Sequence, residues 1–276
     1  MPVSLELKHA LTDQPIDLPV FHPVALNIIL LNSDPYSDIE DIIREINEDQ
    51  ALVAQVLRMA NSSAYMGLVK AKTIKEAVIR LGARQITSLA MAASQVSLHS
   101  SSNTTINGLM QELWQHSLAC ALGSWWLARH TGHQSIVEYA YLAGLLHDIG
   151  KLYLLKGLEN ISKDGKYHIV LEHGSIVEVL SEMHVDQGCR IMDHWNIPQI
   201  YRSIVANHHA EYFDPVDSLL TIVRLVNYNS RKVNLSMSSD QMQPASVLTE
   251  IELLDMDETQ CKKLEVVMAG YHEIAC

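Results

Sequence analysis

Apolar residues along this chain recur at helical spacing, and nowhere alternate for long enough to build a sheet. Ile39, Ile42, Ile43 and Ile46 stand at i, i+3, i+4 and i+7, one face of a helix. Ser37-Asp38-Ile39-Glu40 ahead of them reads as a capping box, with Ser37 as the cap. Asp49 can cap the next helix, where Leu52, Val53, Val56, Leu57 and Ala60 share a face until Asn61-Ser62-Ser63 breaks it. A second box, Thr73-Ile74-Lys75-Glu76, opens a helix that Gly82 ends in a left-handed turn. Further helical patterns cover Gln85 to Ser97 and the stretches near 110–130, 136–148, 175–195, 198–210, 217–229 and 257–275, with Pro198 in a first helical turn. The polar stretch His99 to Asn107 predicts a loop between two lobes. Residues 157–172 predict an excursion loop with a small hairpin near Tyr167 to Leu171, and residues 229–247 are turn-rich. The expected class is all-α.

Composition narrows what such a bundle can do. Twenty Lys and Arg against 32 Asp and Glu leave a net charge of −12, with no basic stripe to offset it. Nucleic-acid backbones are bound by Lys and Arg displacing counterions, so a nucleic-acid partner is not expected. Hydrophobic residues make up 48% of the chain and charged ones 19%, enough apolar matter for a buried core. No apolar run reaches the roughly 18 residues of a bilayer span. The N-terminus, Met1-Pro2-Val3-Ser4, does not open as a secretory signal. Cys120, Cys189, Cys261 and Cys276 are scattered without a Cys-x-x-Cys pair, which suits reduced thiols and a cytoplasmic location. Against this plain background, 14 histidines stand beside only 2 phenylalanines.

Several of those histidines fall in order in the second half: His116, His147-Asp148, His184 and His208-His209. The adjacent His147-Asp148 closes the apolar stretch from Tyr139 to Leu146, and a carboxylate has two oxygens with which to bridge two ions. Helical spacing turns His116, His184, His208 and His209 toward the core side of their helices, although His173 shares a face with His184 and competes with it. Imidazoles with one carboxylate suit one or two divalent transition-metal ions, Fe, Mn, Zn or Ni. A pair of such ions activates water at neutral pH and clamps a phosphoryl oxygen, which is what phosphate-ester hydrolysis needs. Asp148 and Lys151 are the candidate catalytic residues, Lys151 as a point charge for a substrate phosphate. Each feature also has a plainer reading: His147 near a helix C-terminus, His208-His209 as core histidines, Glu112 as a solvated carboxylate, and Trp114, Trp125 and Trp126 as core.

Gly144-Leu145-Leu146-His147-Asp148-Ile149-Gly150-Lys151 resembles the signature of the HD superfamily of metal-dependent phosphohydrolases. The run from Asp49 to Ser62, the run from Ile74 to Gly82, and Trp195-Asn196-Ile197-Pro198 with His208-His209 resemble the HDOD family, the HD-related output domains. The resemblance implies an all-helical, two-lobed domain of bacterial signalling over residues 18–230. An N-terminal lobe would occupy 18–100 and an HD-like lobe 108–230, flanked by extensions at 1–17 and 231–276. Two departures bear on function. Many HDOD members have lost the metal ligands, yet His116, His147, Asp148, His184, His208 and His209 all remain here. The relatives' final metal-binding Asp, in contrast, is Asn227, and the Gly-Tyr-Pro segment of the HD-GYP enzymes is missing.

The expected function is therefore a regulatory module acting through a signalling protein partner or a small phosphorylated ligand, with an oligomer open. The alternative is a metal-dependent phosphohydrolase or phosphodiesterase acting on a nucleotide or another phosphoester.

Overall fold

A computed structural model describes residues 5–12, 14–16, 18–33, 36–62, 65, 69–164, 172–235, 237 and 247–272, and every regular element among them is helical. The first lobe comprises α2 (Pro23–Ser33), α3 (Ile39–Asn47), α4 (Gln50–Ala60), α5 (Ile74–Leu81) and α6 (Ala83–Gln95). Helix α6 is its axis: α2, α3, α4 and α5 all pack on it, and Gln85 to Gln95 are buried without a break. Local capping sets the ends. Asp38, one residue later than expected, caps α3 in a box with Asp41, while the Ser37 hydroxyl donates to Leu31 O. Asp49 accepts from the amides of Ala51 and Leu52, as expected. Thr73 accepts from the Glu76 amide, but Glu76 reaches back to the amide of Lys72 rather than to the cap itself. Gly82 joins α5 to α6 at φ 86°, a conformation costly for a residue with a Cβ.

The family-like motif of this lobe has a structural job. Asn61, the cap of α4, both donates to Ala71 O and accepts from Ala71 N, at 2.8 and 2.9 Å. Arg80 donates to Asn61 Oδ1 at 3.2 Å, Val69 O at 2.8 Å and Ala60 O at 2.5 Å. These bonds satisfy carbonyls at the end of α4 and tie down the chain leading into α5.

A 3₁₀ turn, Val96–Leu98, leads to α7 (Thr104–His130), so the connecting loop is shorter than expected. Asn103 accepts from Ile106 N and starts α7 six residues ahead of the apolar pattern. Helix α8 (Val137–Leu146) lies along α7, and α9 (Ile149–Asp164) along α10 (His173–His194). Residues 157–164 thus continue a helix where a loop was expected, and the expected hairpin at Tyr167 to Leu171 lies outside the described residues. Between α10 and α11 (Gln199–Asn207), Asn196 takes φ 52° and Ile197 N donates to Met192 O at 2.9 Å. Pro198 is the cap of α11 rather than its first residue. Helix α12 (Ser218–Asn229) packs on α7 and α8, and α13 (Leu248–Leu253) packs on α12. Helix α14 (Glu258–Ala269) buries Leu264 and Met268 against α7 of the same chain. Helix α1 (Leu5–Thr12) was not foreseen and packs on α9. The lobes meet where α6 packs on α8.

Two glycines set the helix spacing in the second lobe. A Cβ at Gly144 would stand 2.5 Å from Cys120 O, and one at Gly150 would stand 1.9 Å from His184 O. Hence α8 approaches α7, and α9 approaches α10, more closely than any other residue permits. Gly150→Ala is expected to destabilise the protein by about 1–3 kcal/mol, as overpacking does. Gly174→Ala, in α10 and with open space around its Cβ, is expected to be neutral or mildly stabilising. Equal melting temperatures for the two variants would contradict this account.

Candidate metal centre

His147 and Asp148 occupy the two-residue break between α8 and α9, where the chain bends and turns both side chains inward. His116 comes from α7, His184 from α10, and His208 is the cap that ends α11. Asp148 sits at the middle. Its Oδ2 lies 3.3 Å from Nε2 of His116 and 3.3 Å from Nε2 of His147. Its Oδ1 lies 3.6 Å from Nε2 of His184 and 3.5 Å from Nε2 of His208. The carboxylate thus divides the site in two, one oxygen to each pair of imidazoles. His209 joins the second half, with its ring centroid 5.2 Å from that of His184.

The protonation of these rings follows from their other nitrogens. Nδ1 faces Leu235 O at 2.9 Å in His116, Gly144 O at 2.8 Å in His147, Leu180 O at 2.8 Å in His184 and Val205 O at 2.9 Å in His208. A carbonyl only accepts, so each Nδ1 carries a hydrogen, and Nε2 is the nitrogen that each ring turns toward Asp148. Burial holds the imidazoles of His147, His184 and His209 below their ordinary pKa, that of His184 down to about 3. Burial also works against the charge on Asp148, but Lys151 leads the groups that outweigh it and hold the carboxyl well below the usual carboxylate range. Imidazole nitrogens and a carboxylate converging in a dry interior make a donor set that suits a cation, and the Lys151 ammonium already balances part of the charge.

The spacing fits a metal ion. Two ligands about 2.05 Å from one ion at the tetrahedral angle stand about 3.3 Å apart. His116 Nε2 and His147 Nε2 are 3.2 Å apart, and each is 3.3 Å from Asp148 Oδ2. On the other side, Asp148 Oδ1 and the Nε2 atoms of His184 and His208 have no hydrogen-bond partner among the described residues. The candidate ligand atoms of Asp148, His184, His208 and His209 all lie within 4.8 Å of one another.

Each sequence-derived candidate thus reaches the centre, and His184 rather than the exposed His173 is the histidine of α10 that does so. Lys151, expected to face a substrate phosphate, is buried with Nζ 2.7 Å from Asp148 Oδ2. Glu112 is exposed, while Trp114 and Trp126 are core. Asn227 is buried on α12. Two residues were missed. Cys120, one turn beyond His116, brings Sγ to 3.7 Å from His116 Nε2. Arg224 donates to Glu250 Oε1 at 2.9 Å, His208 O at 3.3 Å and Ala210 O at 2.7 Å, so it fixes the backbone that carries His208 and His209. The i, i+4 spacing of Cys120 from His116 was the available signal for the first. Nothing local pointed to the second, because Glu250 lies 26 residues away.

An all-helical, two-lobed bundle around a buried His/Asp cluster defines a class, and sequence comparison gives its family. The HDOD domain matches residues 18–211, more than half of the chain, which therefore belongs to the HDOD family. An uncharacterized protein of Treponema pallidum (strain Nichols) is 23% identical over 253 residues, covering 89% of this chain and 48% of that protein. The chain thus spans about half the length of that relative. Among solved structures, an HDOD domain protein of unknown function from Geobacter sulfurreducens superposes with a TM-score of 0.72 at 20% identity, over 97% of this chain and 96% of that one. A candidate metal-dependent phosphohydrolase from Shewanella amazonensis SB2B gives 0.68 at 21% identity, over 95% and 96%. A candidate signal transduction protein from Marinobacter aquaeolei VT8 gives 0.69 at 20%, over 98% of this chain and 63% of that one. At such identities these likenesses speak for the fold alone. No helix among the described residues is long and apolar enough to cross a membrane.

Two outcomes are expected. Arg224→Met leaves Glu250 buried without its partner and should cost about 3–5 kcal/mol in chemical denaturation, most of it recovered when Glu250→Leu is added. A loss that the second change does not relieve would contradict the role of the pair. In metal-free protein, His184 and His99, the latter lowered by burial to about 4, stay neutral when folded yet protonate near 6.5 when unfolded. The unfolded state therefore binds more protons below about pH 6.5, and stability falls as the pH falls. Tm should drop by roughly 5 °C or more from pH 7 to pH 5; a constant Tm would contradict neutral burial.

Proposed function

We propose that this HDOD chain is a regulatory module of bacterial signalling that holds one or two divalent transition-metal ions and acts by binding a signalling protein or a small phosphorylated ligand. His116, His147 and Asp148 would hold one ion; Asp148, His184, His208 and His209 would hold the other. The observation that carries this reading is burial. His116, His147 and Lys151 are 0% exposed, Asp148 and His208 1%, and His184 2%. The cavity that touches Asp148, walled by Gln95, His99, Trp114 and Ser117, has room for about one water molecule. A phosphoester does not fit that cavity, and only His209 of these groups is partly exposed, whereas an ion that ties α7, α10, the α8–α9 break and the end of α11 together stiffens the lobe on which α6 rests. Asn227 argues the same way, since an amide oxygen adds no charge and binds metal more weakly than a carboxylate.

The second reading is a metal-dependent phosphohydrolase or phosphodiesterase. The retained ligand set supports it. When bound, a metal pair would supply Lewis acidity to a phosphoryl oxygen and to water. Lys151 would leave Asp148 to meet the phosphate, and the buried imidazoles would keep the ligands oriented.

Protein purified without a chelating tag is expected to carry transition metal, to lose it in His147→Ala and Asp148→Ala, and to leave an activated phosphodiester intact. Turnover that vanishes in those variants while partners are still bound would favour the hydrolase. Protein that stays metal-free and inert after incubation with Mn or Fe would remove the metal centre from both readings. Asn227→Asp is expected to tighten metal retention during dialysis; unchanged retention would place Asn227 outside the centre.

A further inference from the structure

We propose that Cys120 is the fourth ligand of the ion held by His116, His147 and Asp148, making that half of the centre a closed site of two nitrogens, one oxygen and one sulfur. The inference rests on the metal centre proposed above and goes beyond it in assigning the thiol, the coordination number and the metal preference.

Three observations carry it. The first is position. Cys120 follows His116 by one turn of α7 and is completely buried, and its side chain stands on the same face. Its Sγ and the candidate nitrogens of His116 and His147 lie within 4.8 Å of one another. The second is spacing. A thiolate about 2.3 Å and an imidazole about 2.05 Å from one ion stand about 3.6 Å apart in a tetrahedron. The observed separation of Sγ from His116 Nε2 is 3.7 Å, beside edges of 3.2, 3.3 and 3.3 Å for the other three donors. Cys189 and Cys261 are only half-buried and belong to no such group among the described residues.

The third is charge. Asp148 is the one carboxylate in the two ligand groups, and it already contacts the Lys151 ammonium. Asn227, buried on α12, is neutral and adds no charge. A divalent ion in this interior gains from a second anion, and a thiol that gives up its proton to solvent on binding supplies one. A sulfur ligand also selects. It favours Zn²⁺ over the harder Mn²⁺, and four protein ligands around zinc form a structural site with no open position for substrate.

The test is to strip the protein of metal and titrate it with Co²⁺, following the near-ultraviolet absorption that thiolate coordination produces. The band is expected in the wild type, in Cys189→Ala and in Cys261→Ala, and is expected to be lost in Cys120→Ala. Zinc affinity should also fall at least about tenfold in Cys120→Ala. If circular dichroism shows that this variant does not fold, X-ray absorption of zinc-loaded wild type decides instead, through one sulfur at about 2.3 Å. Metal bound by nitrogen and oxygen alone would overturn the assignment of Cys120 and leave the metal centre standing. Failure to bind Co²⁺ or Zn²⁺ at all would overturn both.

Discussion

One buried carboxylate organises the second lobe. Asp148 is 1% exposed, and an anion so deep in an apolar interior is costly unless its partners are built around it. Here they arrive from every side: Lys151 one turn later on α9, His116 from α7, His147 from the preceding residue, and His184 and His208 from α10 and the end of α11. The four imidazoles share one orientation because each is held by a backbone carbonyl through Nδ1. That shared constraint turns a set of core histidines into a ring of Nε2 atoms aimed at one carboxylate, a group that could hold a metal ion.

The rest of the structure keeps those groups in register. Gly144 and Gly150 let α8 and α9 settle against the backbones of α7 and α10, which sets the distances between His116 and His147 and between Asp148 and His184. Arg224 anchors the His208 end from beneath, and Glu250 of α13 ties that anchor to the C-terminal helices. In the first lobe, Asn61 and Arg80 fix the chain between α4 and α5 by hydrogen bonds to backbone. No metal-ligand group lies there among the described residues. The two halves of the chain thus divide labour: one is a scaffold built on α6, the other is held around a charge.

Much of this was legible in the sequence, for physical reasons that also explain the misses. The isoleucines of α3, the caps Asp49 and Thr73 and the His147-Asp148 break are local signals, and local signals are what periodicity and capping report. Helix α2 was missed because Pro23 to Ser33 is apolar nearly all round, so no face stands out. Helix α9 was not foreseen, and its second half read as a loop because of Gly157, Lys163 and Asp164; in the structure Gly157 makes room for Leu11 and Gln14. The cap of α3 was placed one residue early because Ser and Asp stand side by side, and Asp38 has the better partner in Asp41. In the centre, the types and order of the candidate residues could be read, but not their burial or their convergence on Asp148, which depend on α7, α10 and α11 packing around the α8–α9 break.

The central claim is that the imidazole nitrogens around Asp148 hold a cation other than Lys151. The most direct measurement is anomalous X-ray scattering from crystals of the full chain, purified without a chelator and collected across a transition-metal absorption edge. The account predicts anomalous density between Asp148 and the Nε2 atoms of His116 and His147. An absence of density there, after crystals are soaked in zinc and in manganese and with Lys151 still paired to Asp148, would contradict it.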